Sequence, residues 1–339
     1  MRLFSTSGLS AAAFLVTMLA GCASEDQHAP PMAPTPDQGA LVEPNPGPAV
    51  YRIAASDKWV GGTATYYVRD KDTLLDVARD YDLGYTQLIT ANRGIDSWVP
   101  PTGKAVTLPA RYLLPDGPRK GIVINLVQQR LYYFPDEHTV ETYPIGVGVE
   151  GFATPLGLTK VTKKEVHPVW HVPASIRAED PDLPAQVKPG PDNPLGDYAM
   201  QMGGSTYLIH GTNKPYGVGR NVSHGCVHLY PEDIEKLFPR IKVGTPVRII
   251  EQEVMTAWIG EELYIAVFPN KAQTEALDVS MPVGTELPAD LRKQVEKAAE
   301  GHKASINWAL VEQAGRERSG IPVKIGGTDD QKMASAKGN

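Results

Sequence analysis

Between Thr65 and Pro109 the spacing of apolar positions changes twice, which predicts a strand, two helices and a second strand. Tyr66-Tyr67-Val68 predicts the first short strand. Leu74, Val77, Ala78 and Tyr81 recur at i, i+3, i+4 and i+7, the stripe of an amphipathic helix. Asp72 or Thr73 is the expected cap, and Thr73 with Asp76 has capping-box spacing. Thr86 is expected to cap a second helix that runs to Ala91. Pro100-Pro101-Thr102-Gly103 then turns the chain into a strand over Lys104 to Leu108.

Residues 119–250 predict a mainly β unit. Ile122-Val123-Ile124 with Leu126, and Leu131-Tyr132-Tyr133-Phe134, are dense apolar runs. Further strands are expected at Val161, Tyr198 to Met202, Tyr207 to Ile209 and Val247 to Ile250. A helix is expected from Pro231, with Glu232 and Asp233 at its positive end and Ile234, Leu237 and Phe238 inward. Between His171 and Asp197 lie six prolines and no strand pattern, which predicts a loop covering a site. Beyond Glu251 the expected elements are a hairpin over Trp258 to Phe268 and two helices within 288–318. Gly326 to Asn339 is polar and expected to be disordered.

At the other end, Arg2 precedes an apolar run from Gly8 to Leu19, too short to span a bilayer. Ala20 and Gly21 then lead to Cys22, as at a processing site. Residues 23–50 hold seven prolines and no Lys or Arg, which predicts an extended tether. A net charge of −6 without a basic cluster argues against a nucleic-acid partner. The chain has only two cysteines, and each sits in its own motif.

Cys226 lies in Ser223-His224-Gly225-Cys226, sixteen residues after His210. A thiol attacks as thiolate, and an imidazole can take its proton. His210 ends a predicted strand, and the Gly211 carbonyl can accept its Nδ1 proton, the part played by a third triad member. Gly225 allows close backbone approach, and the amides of Gly225 and Cys226 can meet a developing oxyanion. These groups suit acyl transfer through a thioester. Two other readings stay open on the residues alone. One is inert packing of Cys226; the other is a zinc site of His210, His224, Cys226 and His228. The His-x-Cys-x-His spacing departs from the usual zinc ligand pairs, so no metal or cofactor is expected.

Ile209-His210-Gly211-Thr212-Asn213 and Asn221-Val222-Ser223-His224-Gly225-Cys226-Val227 resemble the signature of the L,D-transpeptidase (YkuD) family. Gly121 to Asn125, Thr154-Pro155-Leu156-Gly157 and Pro191 to Gly196 extend the likeness. The resemblance implies a β-sandwich-like catalytic domain over 119–250, with Cys226 as nucleophile and His210 as proton carrier. Gly211 would orient His210, and His224 and Gly225 would shape the turn. It also implies attack on the third residue of a peptidoglycan tetrapeptide, loss of D-alanine, and transfer to an amine of a second stem or a lipoprotein. Ser223 and Asn213 are expected at the substrate. Many relatives carry Arg where this chain has His228, so His228, Arg177 and Arg220 are the candidate carboxylate contacts. Asp72-Thr73-Leu74, Ala78, Leu88, Asn92, Pro101, Gly103 and Pro109 resemble a LysM module, here 63–110, a family that binds N-acetylglucosamine glycans. Residues 1–21 resemble a lipoprotein signal, which implies a lipidated Cys22, a tether over 22–60 and a periplasmic protein held at an outer membrane. The combination is similar to the ErfK/YbiS/YcfS/YnhG group, with 251–339 as an extension of unassigned role. Hydrolysis by water and a non-catalytic wall tether are the competing readings.

Overall fold

The computed structural model describes residues 49–149, 154–204, 206–279, 281 and 283–328. The leader, Cys22 and most of the expected tether lie outside the described residues. Within the 22–60 expected as tether, β1 (Ala49–Arg52) pairs with a strand of the main sheet.

Strand β2 (Trp59–Tyr67), helices α1 (Leu74–Asp80) and α2 (Tyr85–Ala91), and strand β3 (Ala105–Leu113) follow in the expected order. Thr73 caps α1, its hydroxyl accepting from the Asp76 amide at 3.1 Å. Thr86 does not cap α2. The helix starts at Tyr85 after Gly84, because the amides of Tyr85 and Thr86 are turned outward to the carbonyls of Val218 and Gly219. A first-turn N–H has no partner inside its own helix, and here the partner is a loop 133 residues away. Tyr66, Leu74, Val77, Leu83, Leu88 and Val106 form a small core.

The β2–β3 ribbon runs past this core on both strands, from Trp59 to Leu113. Its far end packs on a nine-stranded sheet containing β4 (Gly121–Asn125), β5 (Arg130–Asp136) and β6 (Thr139–Pro144). Ile122, Ile124 and Leu131 point to one face of the sheet, while Val123, Tyr132 and Phe134 point to the other with Val60 and Tyr112. Both faces are covered, which explains why these strands read as continuous apolar runs.

After β7 (Val147–Gly148), the sheet continues through β8 (Gly157–Val166). Residues 171–197 are not a bare loop. Strands β9 (Trp170–His171) and β10 (Gln186–Val187) pair around helix α3 (Ala174–Glu179), and buried Asn193 hydrogen-bonds the Pro168 carbonyl at 2.8 Å. Next come β11 (Tyr198–Met202), β12 (Leu208–His210), β13 (Asn221–Ser223), β14 (Val227–His228), α4 (Pro231–Leu237) and β15 (Pro246–Ile250). The helix has the expected inward face, with Ile234 and Leu237 buried. In the sheet, β12 and β14 run parallel, with Ile209 beside Val227 and His210 beside His228.

The extension is more ordered than its sequence suggests. The hairpin of β16 (Val254–Ile259) and β17 (Glu262–Val267) is followed by α5 (Lys271–Asp278), α6 (Leu291–Ala299), β18 (Ser305–Ile306), α7 (Trp308–Glu317) and β19 (Val323–Gly327). Gly326 and Gly327, expected to be disordered, belong to β19. A Cβ on Gly326 would lie 2.1 Å from the Ser305 carbonyl oxygen, so this pairing needs glycine.

The β2–α1–α2–β3 unit is locked to the main sheet by polar contacts. Arg79 grips Glu232 with two hydrogen bonds, at 2.8 and 2.9 Å. The fully buried Arg130 guanidinium stacks 3.8 Å from the Tyr112 ring and donates to Thr142 and to the Asp82 carbonyl. Asp82 and Asp233 meet here, with Arg130 Nη2 3.9 Å from Asp82 Oδ2. A proton held between the two carboxyls would bridge one oxygen of each. Burial pushes Asp233 up to about 7 and Asp82 well above the ordinary carboxylate range. Both folded values exceed the unfolded ones, so the stabilisation is complete below about pH 4 and is lost as the pH rises through about 7. Thermal unfolding should therefore move to lower temperature between about pH 5 and about pH 8, and Asp233→Asn should flatten that slope. An unchanged slope in the variant would assign it to other groups.

Candidate active site

The parallel pairing of β12 and β14 has a local consequence. Parallel neighbours need a crossover, and residues 211–226 form it. Its last four residues make the turn that holds Cys226. Gly225 has φ +96°, a conformation that disfavours any side chain. The Ser223 hydroxyl donates to the Cys226 carbonyl at 2.6 Å, and the Thr154 hydroxyl donates to the Gly225 carbonyl at 2.7 Å. The Gly225 carbonyl and the Cys226 amide belong to one trans peptide. Fixing the carbonyl on Thr154 therefore aims the Cys226 N–H the opposite way.

His210 is buried at the end of β12, with Nδ1 2.5 Å from the Gly211 carbonyl oxygen. A carbonyl only accepts, so Nδ1 carries the proton and Nε2 the lone pair. Burial lowers the His210 pKa to about 3, with His228 adding to the shift and the Gly211 carbonyl opposing it. Burial also raises the Cys226 thiol, against a backbone hydrogen bond at Leu208. At neutral pH the resting pair is a thiol and a neutral imidazole.

Two of the candidate substrate contacts are engaged within the protein. His228 is 5% exposed, with its ring 6.0 Å from that of His210. It packs against bare backbone, since a Cβ on Gly146 would lie 2.0 Å from Nε2. Burial lowers it to about 4, with a Gly217 backbone hydrogen bond opposing, so it is neutral and shielded at neutral pH. Arg220 is also occupied. Its Nε donates to Asp278 Oδ1 at 2.8 Å, its Nη2 to the Asp278 carbonyl at 3.0 Å, and it lies over the Tyr85 ring.

The remaining candidates lie around the turn. Arg177 is exposed on α3, and Asn213 is exposed with its amide donating to the Pro191 carbonyl at 3.2 Å. His224 Nε2 is 3.1 Å from Glu179 Oε2, which ties the turn to the segment expected to cover it. Among the described residues, no three His, Cys, Asp or Glu side chains are grouped as metal ligands. Beside the turn lies a cavity of about 270 Å³ lined by Val147, Thr154, Asn221, Lys271 and Thr274 among others. Sequence reasoning missed Glu179 and Asp278. The Asn270-x-x-Gln273 capping box that starts α5 was a usable signal for the helix carrying Asp278.

Residues 119–249 match the L,D-transpeptidase catalytic domain (YkuD). The chain is 38% identical over 282 residues to the probable L,D-transpeptidase ErfK/SrfK of Escherichia coli K12, covering 78% of this chain and 87% of that one. It is 35% identical over 286 residues to the probable L,D-transpeptidase YcfS of the same organism, covering 80% and 86%. Against the probable L,D-transpeptidase YbiS it is 38% identical over 255 residues, covering 73% and 81%. With identity at this level across most of the length of each relative, and with the thiol and imidazole held as described, the chain belongs to the L,D-transpeptidase family.

Proposed function

We propose that Cys226 forms a thioester with the third residue of a peptidoglycan tetrapeptide stem, releases the terminal D-alanine and passes the acyl group to an amine. The observation that carries this reading is the His210 tautomer, whose Nδ1–H on Gly211 leaves the Nε2 lone pair to accept a proton. In the first step Sγ attacks the stem carbonyl as Nε2 takes the thiol proton. The carbonyl electrons move to oxygen, where the amides of Gly225 and Cys226 are the assigned donors. Collapse breaks the C–N bond, His210 returns the proton to the leaving amine, and D-alanine departs. An acceptor amine then attacks the thioester, gives its proton to His210, and expels Sγ, which regains the proton. The acceptor is a second stem, giving a 3→3 cross-link, or an outer-membrane lipoprotein.

The same reading makes 63–110 a LysM-like glycan-binding module, 119–250 the catalytic domain and 251–339 an extension that supports it. Residues 1–21 act as a lipoprotein signal, Cys22 carries the lipid, and 22–60 tether the enzyme in the periplasm at the outer membrane. The strand–helix–helix–strand order supports the module. So does the loop after α2, where Trp98 and Val99 are 60% and 78% exposed above an Asp96 turn. An exposed aromatic face suits a sugar ring.

Protein lacking residues 1–22, incubated with disaccharide-tetrapeptide, should release D-alanine and give a 3→3 dimer with a Cys226 adduct by mass spectrometry. Cys226→Ala should give neither product, and tripeptide alone would make water the acceptor. His210→Ala should lower kcat/KM by roughly 10²–10⁴-fold. Because His210 is already neutral above about pH 3, the kcat/KM profile should show no acid limb near pH 6.5. A limb there would contradict a buried neutral base. Trp98→Ala should cut sedimentation with insoluble peptidoglycan several-fold, and full retention would remove the glycan role. Cys22→Ser should abolish incorporation of labelled palmitate in cells.

A further inference from the structure

The segment that delivers Cys226 has little rigidity of its own. β13 is three residues long and, among the described residues, pairs only with the two-residue β7. Before it come a 3₁₀ turn at Pro215–Gly217 and Gly219 at φ +78°. A catalytic group needs its position held to about 0.5 Å, which such a segment cannot supply by itself.

Two helices from outside the matched domain hold it. From one side, α2 donates the Tyr85 and Thr86 amides to the Val218 and Gly219 carbonyls at 3.3 and 3.0 Å. From the other, α5 presents Asp278. One carboxylate oxygen takes Arg220 Nε, the other takes the Asn221 amide at 3.2 Å, and the main-chain carbonyl takes Arg220 Nη2. The Asn221 side chain adds a bond to the Lys271 carbonyl at 3.4 Å, and Lys271 Nζ reaches the Val149 carbonyl. The Arg220 guanidinium, 5.1 Å from the Tyr85 ring centre, joins the two helices.

We infer that Asp278, through Arg220 and Asn221, is a positioning residue that sets the location of the Cys226 turn. Its placement argues for a task of this kind. A carboxylate on the last residue of a helix faces the negative end of the helix dipole, an unfavourable position without a cation. The Asp278 side chain is only 9% exposed, and a buried ion pair contributes little net stability after desolvation. What it does supply is direction, because three acceptor atoms of one residue engage two consecutive residues of the catalytic crossover.

The inference rests on Cys226 being the nucleophile, so its test uses two readouts. Asp278→Ala in the chain lacking residues 1–22 should lower kcat for D-alanine release by about 10–100-fold with KM within about twofold. It should also change the rate of Cys226 alkylation by iodoacetamide by at least about threefold, while circular dichroism stays native. Arg220→Lys, which keeps the charge but not the fork, should lower kcat in the same way. The double variant Arg220→Ala/Asp278→Ala should be no worse than Asp278→Ala alone. Unchanged kcat and alkylation in Asp278→Ala, or additive losses in the double variant, would overturn the proposal. If Asp278→Ala does not fold, Arg220→Lys decides by the same two measurements. If the unsubstituted enzyme releases no D-alanine, the functional reading fails, and alkylation alone decides whether Asp278 positions the thiol.

Discussion

One parallel strand pair governs the chemistry. β12 and β14 lie side by side and run the same way, so the chain must cross from the end of one to the start of the other. Most parallel pairs use a helix for this crossing. Here the crossing is residues 211–226, with a 3₁₀ turn, several glycines and the three-residue β13. The sixteen-residue interval between His210 and Cys226 is the length of that crossing. It brings two groups distant in sequence to adjacent strands, but it leaves the nucleophile on irregular backbone. The positions of Thr154, α2 and α5 answer to that single requirement.

Burial sets the electrical state of the pair. A preformed thiolate–imidazolium would carry two charges in a site where desolvation already disfavours each one. Burial keeps neighbouring His228 neutral as well, and it repels a positive His210 only at low pH, once it is itself protonated. The Gly211 carbonyl works in the opposite sense and stabilises an imidazolium once formed. The arrangement is therefore quiet at rest and suited to proton transfer during attack, when substrate supplies the oxyanion that the turn amides can meet.

The strand–helix–helix–strand order, the Thr73 cap and the apolar strands of the main sheet were legible because their signals are local. So was the Cys226 motif, where glycine and the short turn carry the information. What was not legible depends on contacts between distant segments. Gly84, rather than Thr86, starts α2 because the helix amides face a loop that no nearby residue encodes. His228 and Arg220 read as carboxylate contacts because side-chain charge is visible in a sequence and burial is not. One proved to be packed against Gly146, and the other to be engaged by a carboxylate 58 residues further on.

That last contact bears on where the enzyme ends. The family match stops at residue 249, and the residues beyond it read as an addition of unassigned role. Yet Asp278 touches Arg220, just before β13, and Asn221, its first residue, and Lys271 and Thr274 line the cavity beside the turn. On the other side, Gly84 lies so close to Gly219 that a Cβ on Gly219 would fall 2.2 Å from the Tyr85 nitrogen. Backbone approach of that kind leaves no room for water between the two surfaces. The site is thus assembled from three stretches of chain, of which only the middle one carries the catalytic signature. Sequence similarity marks the part that performs the chemistry. The part that must remain folded for that chemistry to be held in place is larger, and it includes both flanks.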